Sequence, residues 1–278
     1  MSDKHFKISF LALIVLTLFL LVEGFFYYYS IKLSNFCIET LSFYKNCPGG
    51  TLLDNYNIFY EKKTGFNPII WNENAFIETL QIIFLFISIN FFYKILRSKI
   101  IYKFQKKLNY IFILYFFFLL YYFFEEISWG QHFFGWISPD FFMEHNNQKE
   151  TNLHNISNLF DQLPRSLLSI WCGLSFVIVK FPFFYRSNKI YTYLIFPSKQ
   201  LKKVSLLLII FLLPDLTADL IGIEFDNQTT IEINKADLYY FFTLNFIRLS
   251  EYQELIFTYY ICFHSIYLKK YIFGKFSF

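Results

Sequence analysis

The chain has 278 residues, of which 55% are hydrophobic, 24% are aromatic and only 17% are charged. A water-soluble protein of this length needs more charge on its surface, so the composition excludes an ordinary soluble enzyme and favours a membrane protein. The net charge of +4 is small and unevenly distributed along the chain. We therefore expect the lipid bilayer as a partner and no nucleic acid.

The first apolar run, from Ile8 to Val22, follows Lys4 and Lys7 in the manner of a signal peptide. The run is longer than the usual apolar region of a signal peptide, and no small-residue cleavage site follows it. The sequence therefore predicts an uncleaved first helix.

Six segments approach the length of roughly 20 apolar residues that a membrane-spanning helix needs. No Gly/Ser-rich linker or internal repeat separates them, which predicts a single transmembrane domain over residues 1–278. The fold class predicted is an all-α membrane protein with about six transmembrane helices. The predicted spans are 8–29, 76–93, 108–126, 166–184, 204–222 and 246–268, and the predicted outer loops are 30–75, 127–165 and 223–245.

The distribution of lysine and arginine sets the predicted orientation, because basic residues are retained on the cytoplasmic side. With the N-terminus inside, the inner segments contain 17 of the 25 basic residues and only one of the 21 acidic residues, Asp3. The remaining acidic residues lie in the outer loops or within the spans. The sequence thus predicts a multi-pass protein of the bacterial inner membrane with both termini in the cytoplasm.

The four cysteines divide into two pairs. Cys172 and Cys262 fall in predicted spans, where a thiol acts as a small hydrophobic group. Cys37 and Cys47 share the first outer loop, which is exposed to an oxidising compartment. Two alternatives are open for them: a short disulfide or two free thiols.

The second outer loop and the helix end before it hold the densest group of reactive side chains. This stretch, residues 123–155, contains paired carboxylates followed by several imidazole and amide groups. Its candidate residues are Glu125, Glu126, His132, Glu144, His145, Glu150, His154 and Asn155. Ser138 followed by Pro139 is typical of a helix start, with the serine as N-cap, and predicts a short helix to about Asn146.

The candidate residues in this loop allow two interpretations. Carboxylates and imidazoles are ligands for divalent metals and serve as general acids or bases. If residues 150–160 are helical, Glu150 and His154 share a face and are candidate metal ligands. In the alternative interpretation, the acidic residues cap helices or pair with Arg165 or Arg248. The more specific HExxH spacing is absent.

Two further acidic groups lie in or near predicted spans. Asp215 and Asp219 follow Pro214 on one face of the fifth span, where ionisable groups usually face the bundle interior. Arg248, Glu251 and Glu254 recur at three-residue intervals at the outer end of the sixth span, which predicts an Arg248–Glu251 pair.

The string EEISWGQ at 125–131, followed by EHNNQKETNLHN at 144–155, resembles a family of uncharacterised bacterial polytopic membrane proteins. The resemblance covers about 30 residues. It implies a multi-pass fold and directs attention to residues 125–155. No activity is established for that family, so the resemblance implies no catalytic role for any residue.

Three functions are compatible with these residues. The first is a membrane-embedded hydrolase or transferase that acts at the outer face on a lipid or envelope component, with a divalent metal as the candidate cofactor. Its site would be formed by Glu125, Glu126, Glu150, His154, Asn155 and Glu254. The second is a small transporter or proton-coupled protein that uses Asp215, Asp219 and Glu254. The third is a non-catalytic membrane scaffold.

Overall fold

The computed structural model describes residues 3–40, 68–71, 75–98, 106–146, 149–153, 156–178, 199–221, 244 and 247–276. All regular secondary structure within these ranges is helical, which confirms the all-α class. The α-helices are α1 (Asp3–Thr40), α2 (Pro68–Trp71), α3 (Phe76–Arg97), α4 (Lys106–Glu126), α5 (Gln131–Phe134), α6 (Asp140–His145), α7 (Asn158–Ile178), α8 (Lys202–Ile221) and α9 (Leu249–Phe276). Short 3-10 turns at Ser128–Gly130 and Lys199–Leu201 precede α5 and α8.

Each of the six predicted spans coincides with a long helix: α1, α3, α4, α7, α8 and α9 in chain order. Three boundaries differ clearly from the prediction, one of them the end of α9, which lies at Phe276 rather than at 268. Helix α1 continues to Thr40 rather than ending at 29, and α7 begins at Asn158 rather than at 166. In both cases the apolar run is shorter than the helix, because polar residues interrupt the hydropathy pattern without breaking the backbone hydrogen bonds.

The chain forms two compact units, residues 76–212 with 250–278, and residues 2–75 with 213–249. In the second unit, the Arg248 guanidinium group donates a hydrogen bond of 3.0 Å from Nη1 to the carbonyl oxygen of Trp71. The first unit contains α3 to α7, most of α8 and nearly all of α9. It also contains the residues of the candidate loop.

The core of the first unit is formed by apolar stripes on α3, α4 and α9. On α3 the buried residues are Ile77, Gln81, Leu85, Ser88, Phe92 and Ile95, spaced three or four apart along one helix face. This stripe packs with Phe112 and Leu119 of α4 and with Ile261 of α9. The α3–α4 contact includes two parallel rings, Phe92 and Tyr115, whose centroids are 4.6 Å apart.

Buried polar side chains join the helices of this unit at several levels. Gln81 Nε2 donates to the Glu251 carbonyl oxygen at 3.0 Å, and Gln253 Nε2 donates to the Phe211 carbonyl oxygen at 3.1 Å. Between α7 and α8, the hydroxyl groups of Ser175 and Ser205 lie within hydrogen-bonding distance of each other and of the Cys172 carbonyl oxygen, which accepts a hydrogen bond from this pair. Such small or amide side chains satisfy polar groups between apolar helices.

The outward faces of α4 and α7 are also apolar. Each carries a stripe of exposed hydrophobic side chains spaced three or four residues apart, opposite the buried stripe. The stripes are Tyr110, Leu114, Phe117, Tyr121 and Phe124 on α4, and Leu163, Leu167, Ile170, Leu174 and Val177 on α7. By length and composition, the segments Phe6–Tyr27 and Ile69–Arg97 are long and apolar enough to cross a membrane, and Leu163–Val177 is a shorter apolar helix.

Candidate functional site

The chain reverses direction after α4 through three consecutive residues with positive φ: Ser128 (45°), Trp129 (56°) and Gly130 (96°). The left-handed region suits glycine but costs of order 1 kcal/mol or more for a residue with a Cβ atom. Ser128 and Trp129 therefore need tertiary contacts that hold them in this conformation. The surrounding side chains provide such contacts.

Glu125, at the C-terminal end of α4, joins the beginning of this loop to its end. Its Oε1 atom accepts a hydrogen bond of 2.8 Å from Trp129 Nε1, and its Oε2 atom accepts one of 2.7 Å from the Leu153 backbone N–H. The side chain is only 4% exposed. Hydrogen bonds to a buried carboxylate are stronger than those between neutral groups, so Glu125 stabilises the contact between the two ends of the loop.

Glu150 also accepts hydrogen bonds that stabilise the loop. Its Oε2 atom accepts hydrogen bonds from Ser128 Oγ at 2.6 Å and from Asn152 Nδ2 at 2.8 Å. Asn146 Nδ2 donates in turn to Asn152 Oδ1 at 2.7 Å. We call Glu125, Ser128, Asn146, Glu150 and Asn152 the loop clamp. All five side chains are buried.

The contacts across this loop explain why one local prediction was wrong. Ser138 does not cap α6, which begins at Asp140 after Pro139; its hydroxyl donates to the Lys149 carbonyl oxygen at 2.8 Å instead. Residues 149–153 are not helical. Their polar side chains and backbone bond across the loop, which replaces the local bonds of a helix, so the helix on which a shared face for Glu150 and His154 depended does not include residues 149–153.

Glu126 belongs to a second group of charged side chains. Its carboxylate interacts electrostatically with Glu254, Glu251 and Glu78, and with the guanidinium group of Arg165. We call Glu78, Glu126, Glu251 and Glu254, together with Arg165, the acidic cluster. It joins the start of α3, the end of α4, the first turns of α7 and the start of α9.

One direct ion pair lies in the acidic cluster. Arg165 Nη2 is 2.8 Å from Glu254 Oε1, and the two side chains keep 17% and 20% of their surface exposed. The sequence assigned Glu254 to the polar site and predicted a pair between Arg248 and Glu251; the structure pairs Glu254 with Arg165, and the Arg248–Glu251 pair stays a prediction. The other arginine considered, Arg248, contacts the Trp71 carbonyl oxygen.

The described residues of the predicted single site therefore belong to two groups of contacts rather than one. Glu125 and Glu150 belong to the loop clamp, while Glu126 and Glu254 belong to the acidic cluster. His154, Asn155 and Cys47 lie outside the described residues, as do the side chains of His132, Cys37, Asp215 and Asp219. The predictions made for those groups, including the Cys37–Cys47 disulfide, stay predictions.

A metal site was predicted at Glu150 and His154. Within the described ranges, no three His, Cys, Asp or Glu side chains lie close enough together to hold a metal ion. Glu150 already accepts two hydrogen bonds at one carboxylate oxygen. The arrangement described around Glu150 suits a structural acceptor better than a ligand.

Several residues of these groups were not singled out from the sequence. Ser128, Asn146 and Asn152 act in the loop clamp, and Glu78 acts in the acidic cluster. The clamp residues do fall within the strings EEISWGQ and EHNNQKETNLHN, so that signal was present. Glu78 had no such signal, because a glutamate in the first turn of a helix is common.

Comparison of the chain with protein-family models, with curated proteins and with solved structures finds no match.

Proposed function

We propose that the protein is a multi-pass membrane protein that crosses the bacterial inner membrane six times. The exposed apolar stripes of α4 and α7 support this location, because a soluble protein seldom exposes contiguous apolar surface of that extent. The distribution of basic residues supports an orientation with both termini inside. In this orientation the loop clamp and the acidic cluster lie at the outer boundary of the bilayer.

Within this framework, we propose that the acidic cluster reversibly binds a proton. The observation that carries the proposal is the position of Glu126, a partly buried carboxylate that interacts electrostatically with three other glutamates. Arg165, the basic residue of the cluster, pairs directly with Glu254. Neighbouring carboxylates in a poorly polar setting repel each other, and a shared proton relieves that repulsion.

Reversible protonation at the end of four helices favours a proton-coupled membrane protein over a hydrolase or transferase. Glu125 and Glu150, which the enzyme hypothesis requires as acid, base or ligand, accept hydrogen bonds that fold the loop. Their carboxylates are therefore less available for chemistry than that of Glu126. The enzyme hypothesis then depends on His154 and Asn155, and its class of substrate would be a lipid or envelope component.

Infrared titration of the purified protein in lipid nanodiscs tests the proposal. The C=O stretch of a protonated carboxyl group should appear and disappear with pH, and the Glu126→Gln variant should lose that band. Glu144→Gln is the matched control, because Glu144 is an exposed glutamate on α6 and should leave the band unchanged. An identical band in wild type and in Glu126→Gln would contradict the assignment of the proton to this cluster.

A further inference from the structure

The loop that follows α4 exposes a dense group of apolar side chains. Phe133, Phe134 and Ile137 are 69%, 79% and 85% exposed, and Phe141 is more than half exposed. Between Ile127 and Met143, the only acidic residue is Asp140 and the only residue that can carry a positive charge is His132. Such a surface is unfavourable in water at about 25 cal/mol for each Å² of apolar area.

The exposed surface of the loop is continuous with the outward apolar stripe of α4. Trp129 stacks on Phe124 of that stripe, with ring centroids 5.4 Å apart, and contacts Tyr121 at 6.5 Å. Next to Trp129, the backbone of Gly130 lies against the rings of Phe134 and Trp136, which an added Cβ atom would approach to 3.3 Å. Through these contacts, the exposed apolar surface of α4 continues into the loop.

Several polar side chains of the loop and of the helix end before it are buried instead. The side chains of Glu125, Ser128, Glu150 and Asn152 in the loop clamp are buried. Thr151 and Gln131 add a further bond of 2.8 Å, from the Thr151 N–H to Gln131 Oε1. The loop is therefore an amphipathic layer with a hydrogen-bonded inner side and an apolar outer side, which is the composition of elements that lie in the membrane interface.

We propose that residues 129–143 form an interfacial anchor, which inserts Phe133, Phe134, Ile137 and Phe141 between the headgroups and acyl chains of the outer leaflet. The occupant is lipid rather than a protein because the anchor continues the surface of α4 that the bilayer covers. Aromatic side chains are also enriched at this depth of a membrane. The anchor rests on the proposed membrane location but not on the proton-binding role of the acidic cluster.

Electron paramagnetic resonance on the full chain in liposomes tests the anchor. A nitroxide label is attached to a single cysteine at Ile137, in a background whose four native cysteines are replaced by alanine. We expect the label to collide several-fold more with oxygen, relative to a water-soluble nickel chelate, than a matched label at the exposed Lys149. A label at Phe133 should behave like the one at Ile137. The test therefore does not depend on the correct folding of a single variant.

Two results would overturn the anchor. A label at Ile137 that collides mainly with the nickel chelate would lie in water, and a label shielded from both reagents would lie under a protein partner. Carbonate extraction of the same membranes separates this failure from failure of the proposed location. A chain that stays in the membrane while its labels at Ile137 and Phe133 lie in water disproves the anchor alone, whereas an extracted chain disproves the membrane location.

Discussion

Two adjacent glutamates at the end of α4 acquire different roles because the helix turns their side chains about 100° apart. Glu125 faces the loop and accepts hydrogen bonds from Trp129 and Leu153, while Glu126 faces the acidic cluster. The sequence predicted both as members of one polar site. It could not assign their separate partners, since Leu153 lies 28 positions from Glu125 and the residues that interact with Glu126 lie on other helices.

Replacing Glu150 by alanine tests the loop clamp at this scale. The change leaves the buried Ser128 hydroxyl and Asn152 amide without their shared acceptor, which should cost about 2 kcal/mol in the free energy of unfolding. Denaturant unfolding in mixed micelles measures this loss, and protease digestion should show faster cleavage in the 127–153 loop.

Glu144→Ala is the control for the clamp, because Glu144 is an exposed glutamate in the same loop. It should change the free energy of unfolding by less than about 0.5 kcal/mol. Equal losses in the two variants would show that the bonds of Glu150 do not hold the loop.

At the scale of helices and loops, apolar periodicity was sufficient to find every long helix of the described structure. The ends of α1 and α7 were less well predicted, because hydropathy reports where apolar residues stop and not where a helix stops. The short helix α6 was predicted from its Ser-Pro start. The path of residues 149–153 was not predictable, since it depends on hydrogen bonds to Ser128, Gln131 and Asn146.

The Arg165–Glu254 pair links α7 to α9 and can be measured with a double-mutant cycle. Each side chain keeps about a fifth of its surface exposed, so we expect a coupling of only about 1 kcal/mol in the free energy of unfolding. Arg165→Ala should be more harmful than Glu254→Gln, because losing the arginine leaves the glutamates of the cluster to repel each other.

One outcome of the double-mutant cycle would contradict the expected coupling between Arg165 and Glu254. If Arg165→Ala is equally harmful in the wild-type and Glu254→Gln backgrounds, the pair contributes no coupling. Lys149→Ala serves as the control for loss of an exposed basic side chain and should show no coupling to Glu254.

At the scale of the whole molecule, the distribution of charge and the exposed apolar surface both support the proposed membrane topology. Basic residues concentrate in the segments predicted to lie inside, and acidic residues concentrate in those predicted to lie outside. The exposed apolar stripes of α4 and α7 lie between these two charged regions. The six crossings and their orientation are predictions that follow from local composition.

Cysteine labelling in intact cells tests this arrangement most directly, in a background without native cysteines. Cysteines introduced at Asn46, Asn147 and Gln228 should react with a membrane-impermeant thiol reagent, and those at Ser98, Ser187 and Ser277 should react only after the cells are permeabilised. Labelling of Ser98 in intact cells, together with protection of Asn147, would contradict the proposed topology and the outward position of the acidic cluster.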